Sequence, residues 1–201
     1  IGNTQAKLAV FDDELLKIKS FDSKYIYENI NDFLKLFPLI KNLIVCSVID
    51  TDLNFDYYNF QNIHFVSSNS KLPFINLYNT KKSLGNDRIA LVSRAAIKFS
   101  NQNVLIIDAG SCITYDFINE NNQYLGGAIS PGLNMRFKSL NHFTSNLPLV
   151  KSFTDSINIG KTTHDSISNG VCSGVNYEIE GFIDQYSSKY KNLTVILTGG
   201  D

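Results

Sequence analysis

The sequence lacks any excess of positive charge: 18 Lys and Arg stand against 19 Asp and Glu, a net charge of −1 over 201 residues. That balance gives no general attraction to a nucleic-acid backbone or an anionic membrane, so neither is expected as a partner and any anion must be bound locally. The lysines of Lys81-Lys82 and Lys189-Tyr190-Lys191 read as solvated surface. Cysteine is scarce as well. Cys46, Cys112 and Cys172 are odd in number and far apart, none sits in a CxxC, and His64, His142 and His164 have no zinc-like spacing to them. Each cysteine lies in or beside an apolar segment, which predicts small buried residues in a reducing cytoplasm. There is no signal-peptide pattern, no long apolar run, no low-complexity segment and no Gly/Ser linker. The chain opens on Ile1 without a methionine and stops at Asp201 after a glycine pair, the layout expected of a fragment of a longer polypeptide.

What is present is an ordinary globular composition, 43% hydrophobic and 18% charged, in a length that suits one large or two small domains. Strand-like runs fall at 8–11, 42–48, 63–66, 104–107, 113–118, 124–129 and 193–197. Helical spacing covers 21–37, with Asp22 or Ser23 as N-cap, and 89–99, 133–140 and 165–190, the last with a possible break at Gly174. Strands arrive both in hairpins and in alternation with helices, which predicts a mixed sheet in α/β layers.

The chemistry concentrates at turns. Asp108-Ala109-Gly110-Ser111 follows the apolar run Val104-Leu105-Ile106-Ile107 and precedes an alternating segment, so a buried strand ends in a carboxylate, a glycine turn and a hydroxyl. Such a turn suits a cation and the phosphates of a nucleotide, although many Asp-Gly turns only close hairpins. A similar fragment, Ile1-Gly2-Asn3-Thr4, stands before the strand-like run Leu8-Ala9-Val10-Phe11. Two such turns, near the start of each half, suggest paired phosphate-binding halves. Gly85-Asn86-Asp87-Arg88 opens a helix and puts a carboxylate beside a guanidinium; on its own it reads as an N-cap aspartate with a solvated arginine. Asp116 reads as a polar residue on an open strand face.

The ordered set Ile1-Gly2-Asn3-Thr4, Gly85-Asn86-Asp87-Arg88, Asp108-Ala109-Gly110-Ser111, Gly126-Gly127-Ala128-Ile129-Ser130-Pro131-Gly132-Leu133 and Thr198-Gly199-Gly200-Asp201 resembles the type III pantothenate kinases, with Leu147-Pro148 and Gly160-Lys161-Thr162-Thr163 also in register. That resemblance implies duplicated ribonuclease-H-like domains, as in actin-like ATPases, with mixed sheets and a nucleotide cleft between them. The domains are expected at 1–84 and 85–201, the second truncated at its C-terminus. It implies ATP-dependent phosphorylation of pantothenate, the first step toward coenzyme A, in a cytoplasmic homodimer using Mg²⁺ and K⁺ or NH₄⁺. The rivals are a kinase for another small alcohol and a non-catalytic regulatory relative of the same fold.

The resemblance also assigns roles. Gly2, Asn3, Thr4, Lys7 and Ser111 become contacts to ATP, and Asp108 the ligand of the monovalent cation. The family's carboxylate for Mg²⁺ and phosphate would precede Ile1. Asp87 becomes the base that takes the proton of the substrate hydroxyl. Tyr78, Gly85, Asn86, Asp87 and Arg88 become pantothenate-binding, with Thr163 reaching the partner subunit's pocket. The family usually has threonine where Ser111 stands, and the hydroxyl is retained. Chemically, a carboxylate that accepts the proton of a primary alcohol is worth ~10²–10⁴-fold in rate, and an arginine fork suits a carboxylate better than lysine does. A helix N-cap remains the plain reading for Thr163, and a surface-loop tyrosine for Tyr78.

Overall fold

The computed structural model describes residues 1–2, 5–49, 53–150 and 159–200. By internal contacts the chain divides into two compact units, Ile1–Lys71 with Thr80–Ala90, and Leu72–Asn79 with Leu91–Asp201. The architecture is mixed α/β with several sheets.

The first unit begins with an antiparallel hairpin, β1 (Ala6–Asp12) and β2 (Glu14–Phe21), turned at Asp13, whose φ of 58° is tolerable for a short polar side chain. Asp22 then accepts a hydrogen bond from the Lys24 amide and caps a 3-10 turn (Ser23–Tyr25), which leads into α1 (Ile26–Leu36). The cap falls where the sequence places it, but a 3-10 turn takes up the expected first helical turn. Helix α1 buries Ile26, Ile30 and Phe33 along one face, the 3.6-residue stripe that drives an amphipathic helix onto a core. Strands β3 (Asn42–Val45) and β4 (Asn62–Phe65) pair in parallel. Ala6, Phe21, Ile26, Ile30, Val45 and Phe55 form the core of this unit.

The second unit is built on a five-stranded mixed sheet. After β5 (Ile75–Asn76) comes α2 (Asn86–Lys98), whose first residues belong to the first unit and whose remainder, from Leu91, belongs to the second. Then follow β6 (Val104–Ala109), β7 (Cys112–Ile118), β8 (Gln123–Pro131), α3 (Leu133–His142), α4 (Thr163–Lys189) and β9 (Thr194–Gly199), with strand order β5-β8-β7-β6-β9. Strands β6, β7 and β8 are an antiparallel meander, while β9 runs parallel to β6 and β5 parallel to β8. Val104 to Ile107 are all buried, the continuous apolar run of a central strand. Helix α4 covers one face, setting Val175, Ile179, Phe182, Ile183 and Tyr186 against Leu105, Ile107, Ile113, Tyr115 and Phe117. It runs through Gly174 without a break, because that packing outweighs the ~1 kcal/mol propensity cost of a helical glycine.

Candidate active site

In the first unit, the start of α2 positions Asp87. The Ile89 amide donates to the Gly85 carbonyl (3.1 Å), which makes Gly85 the residue that opens the helix. One Asp87 carboxylate oxygen, Oδ1, accepts from the Arg88 amide (2.8 Å), a first-turn donor for which the helix itself supplies no carbonyl. The carboxylate is half-buried. A Cβ at Gly85 would lie 2.5 Å from that same oxygen, so the glycine leaves the space the carboxylate occupies. Asn86 Nδ2 donates to the Ser47 carbonyl (3.0 Å) and ties the helix start to the segment that follows β3.

The same segment holds the N-terminal turn, since the Val48 amide donates to the Ile1 carbonyl (3.0 Å) and the Gly2 amide to the Gln5 carbonyl (2.9 Å). Residues 46–48 thus gather the glycine turn and the Asp87 helix start, a role no sequence motif announces. Burial raises the Cys46 thiol pKa, and the nearby Asp87 carboxylate adds to the rise. Lys7 is exposed on β1. Asn3 and Thr4 lie outside the described residues. Arg88 is 5% exposed, so the solvated arginine of the plain reading does not hold.

In the second unit, Asp108 sits at the end of β6 with Thr114 of β7 and Thr198 of β9 as its direct cross-strand neighbours. Cross-strand neighbours share a sheet face, so three oxygen-bearing side chains stand in a row. The Thr114 hydroxyl is buried and has no hydrogen-bond partner among the described residues. Beyond Asp108 the Gly110-Ser111 turn is enclosed by two glycine segments. The Gly132 amide donates to the Ser111 carbonyl (3.2 Å), and the Gly200 amide to the Ala109 carbonyl (3.0 Å). This is a backbone-lined turn with an exposed Ser111, backed by a row of oxygen-bearing side chains whose chemistry suits a hard cation. Among the described residues, no group of three or more His, Cys, Asp or Glu is placed to hold a metal ion.

Tyr78 is no free surface ring. It is half-buried and stacks on Tyr124 (centroids 6.0 Å, 27°), and a side chain at Gly126 would meet it at 3.3 Å. Asp116, the supposed open-face residue, is fully buried and accepts from the Tyr124 hydroxyl (2.6 Å). Its partner lies across the hairpin, eight residues on, which is why the strand pattern alone misplaces it. Thr163 is the first residue of α4, but the cap is Thr162, whose hydroxyl accepts from the Asp165 amide (3.1 Å). Thr163 is therefore spared that duty and lines an open cavity of about 880 Å³ with Arg136, Leu147, Lys161 and Ile167. The sequence reading missed Arg136 and Glu178, which form an ion pair behind the Gly132 turn.

Comparison with known proteins agrees over almost the whole chain. The type III pantothenate kinase family matches residues 1–185. A type III pantothenate kinase of Flavobacterium johnsoniae is 44% identical over 205 residues, covering 100% of this chain and 84% of the relative. One from Christiangramia forsetii is 47% identical over 203 residues with the same coverage. A solved structure from Campylobacter jejuni, described as a Baf family transcriptional activator, is 25% identical with a TM-score of 0.59, covering 100% of this chain and 81% of that one. With a family match of that extent and relatives this similar, the chain belongs to the type III pantothenate kinase family.

Proposed function

We propose that Asp87 is the general base of an ATP-dependent pantothenate kinase, that Arg88, Tyr78, Gly85 and Asn86 hold pantothenate, and that Asp108 and Ser111 serve the cation and the nucleotide. The family's reaction is phosphorylation of pantothenate by ATP on the way to coenzyme A. Asp87 accepts the proton of the primary hydroxyl as its oxygen bonds to the γ-phosphorus; the bond from that phosphorus to the β,γ-bridging oxygen breaks, and ADP leaves with the electron pair. Little covalent work falls to the protein, so alignment and charge stabilisation supply most of the rate.

The observation that carries the reading is the carboxylate of Asp87, half-buried at a helix start and given room by Gly85. The buried guanidinium of Arg88 suits a substrate carboxylate or polar oxygen. Gly2, with Asn3, Thr4 and Lys7, serves the ATP phosphates. Asp108, Thr114 and Thr198 would hold K⁺ or NH₄⁺, which supplies charge neutralisation beside the phosphates, and Mg²⁺ enters with ATP. The two units stand for the duplicated ribonuclease-H-like halves of an actin-like ATPase. Thr163, relieved of capping, serves the pocket of a second subunit in a homodimer, and the enzyme works in the cytoplasm. No helix of the described residues is long and apolar enough to cross a membrane.

The description of the Campylobacter jejuni structure as a transcriptional activator favours one rival, a regulatory relative without catalysis. Asp87→Asn decides between them. It should lower kcat by ~10²–10⁴-fold with ATP affinity nearly unchanged, because only the proton acceptor is lost. Pantothenate-independent behaviour of both proteins, with no ADP formed by either, would support the regulatory reading instead.

A further inference from the structure

Behind the Gly110-Ser111 turn lies a polar cluster that the proposed reaction does not use. Glu178 of α4 accepts from three groups: the Tyr115 hydroxyl at Oε1 (2.8 Å), the Ser130 hydroxyl at Oε2 (3.0 Å), and Arg136 Nη2, also at Oε2. Arg136 in turn donates from Nε to the Pro131 carbonyl (2.8 Å) and from Nη2 to the Ser130 hydroxyl (2.8 Å). The side chains of Arg136 and Glu178 are 21% and 23% exposed. An exposed ion pair contributes ~0–1 kcal/mol, but a shielded one with each carboxylate oxygen occupied behaves as a fixed network.

Its position gives it a consequence. Pro131 is the cross-strand partner of Cys112, and Ser130 that of Ile113. The next residue, Gly132, donates its amide to the Ser111 carbonyl, and a Cβ there would come within 2.7 Å of that oxygen. Tyr115 is fully buried and stacked on Phe182 of α4 (centroids 3.9 Å). A chain of direct contacts therefore runs from the core-packed helix through Glu178 and Arg136 to Pro131, Gly132 and Ser111.

We infer that Arg136 and Glu178 are positioning residues that fix the Gly110-Ser111 turn through the Ser130-Pro131-Gly132 segment, and so set the affinity for ATP and K⁺. The functional half rests on the proposed assignment of that turn to the nucleotide and cation. Removing the charge of Glu178 frees Arg136 from one anchor, and the carbonyl of Pro131 then loses its fixed donor. Helix α4 and the apolar core keep their own contacts, so the fold survives the change.

The test uses the full-length enzyme with Glu178→Gln and Arg136→Lys. Glu178→Gln should raise the KM for ATP and the half-activating K⁺ concentration by about tenfold, the equivalent of one charge-assisted hydrogen bond. For Glu178→Gln the KM for pantothenate should stay within about twofold, since Glu178 does not line the Thr163 cavity and Asp87, Arg88, Tyr78, Gly85 and Asn86 are not on this path. Arg136→Lys, which keeps the charge, should recover part of the loss relative to Arg136→Ala. Amide exchange at Ser111, Cys112 and Gly132 should quicken in Glu178→Gln whether or not ligand is present. Unchanged exchange at these amides with a merely lowered melting temperature would overturn the inference. Faster exchange with unaltered ATP and K⁺ constants, in Glu178→Gln and Asp108→Asn alike, would overturn its functional half by removing the turn from the ATP site.

Discussion

Gly85→Ala adds one methyl group and no new chemistry, yet it should act on the reaction. The added Cβ would stand 2.5 Å from Asp87 Oδ1, well inside van der Waals contact, and the nearest other atoms are 3.7 Å and 3.8 Å away. Gly85 does not have a positive φ, so the backbone accepts alanine and the conflict is with the carboxylate alone. The carboxylate must swing by about 1 Å, and a displacement of that size at a reacting group costs ~10²-fold in rate. Stability should hardly move. Loss of the Asp87 bond to the Arg88 amide costs about 0.5–1.5 kcal/mol, and the stiffer unfolded chain returns about 0.4–1 kcal/mol. The assay is ADP release under saturating ATP and pantothenate, with a thermal melt and an ATP titration on the same sample. Expected are a kcat lowered by ~10–100-fold, a melting temperature within a few degrees, and unchanged ATP affinity. A kcat equal to that of the parent enzyme would refute the reasoning, because a carboxylate that can be pushed aside without effect is not the proton acceptor.

Other perturbations read other parts of the structure. Asp108→Asn should shift K⁺ activation to higher concentration, measured as rate against K⁺ at constant ionic strength; an unaltered curve removes Asp108 from the cation site. Ile107→Ala deletes a fully buried central-strand side chain and should cost about 2–5 kcal/mol in urea unfolding; a loss under about 1 kcal/mol would mean the sheet core is not packed as described. Glu178 gives a pH signature. Burial pushes its carboxyl pKa up, but the hydrogen bonds from Arg136, Tyr115 and Ser130 outweigh this and leave it below the ordinary 4.5. A depressed folded-state pKa stabilises above the ordinary value and loses that contribution as pH falls through the lowered one. The stability gap between parent and Glu178→Gln should therefore be full at neutral pH and close below 4.5; a pH-independent gap would refute the ionised network.

Elements with a strong burial rhythm were legible in the sequence; those without one were not. The apolar run at Val104 and the alternation from Ile113 locate β6 and β7 closely because burial imposes those patterns. Strand β2 escaped because every residue but Phe21 is exposed, so its side chains carry no inside–outside contrast. The two-residue β5 is held only by its pairing with β8, which no local signal encodes. Among the candidate functional residues, Gly85 and Asp87 of the first unit and Asp108 and Gly132 of the second stand in recognisable motifs. Residues 46–48 and Glu178 do not, because they work through partners about 40 to 60 positions away, by a backbone carbonyl and a network of hydrogen bonds. Thr162 and Thr163 show the limit at close range, for only the geometry tells which hydroxyl caps α4.

The glycines of the motifs separate space from flexibility. Among the described glycines only Gly126 and Gly199 have positive φ, so a tight-turn argument explains those two and not Gly85 or Gly132. At the latter pair the obstacle to a side chain is a neighbouring atom, and its nature fixes the outcome. At Gly85 that atom is a carboxylate oxygen on a side chain that can rotate away. At Gly132 the obstacles are the backbone oxygens of Gly110 and Ser111, which cannot move without moving the turn. Gly132→Ala should accordingly lose both stability, by about 1–3 kcal/mol of overpacking, and ATP affinity, whereas Gly85→Ala loses turnover alone. Melting curves and ATP titrations of the two variants side by side check the contrast. If Gly132→Ala kept its stability and its ATP affinity, the turn would have yielded freely, and a rigid phosphate cradle at Gly110-Ser111 would no longer be tenable.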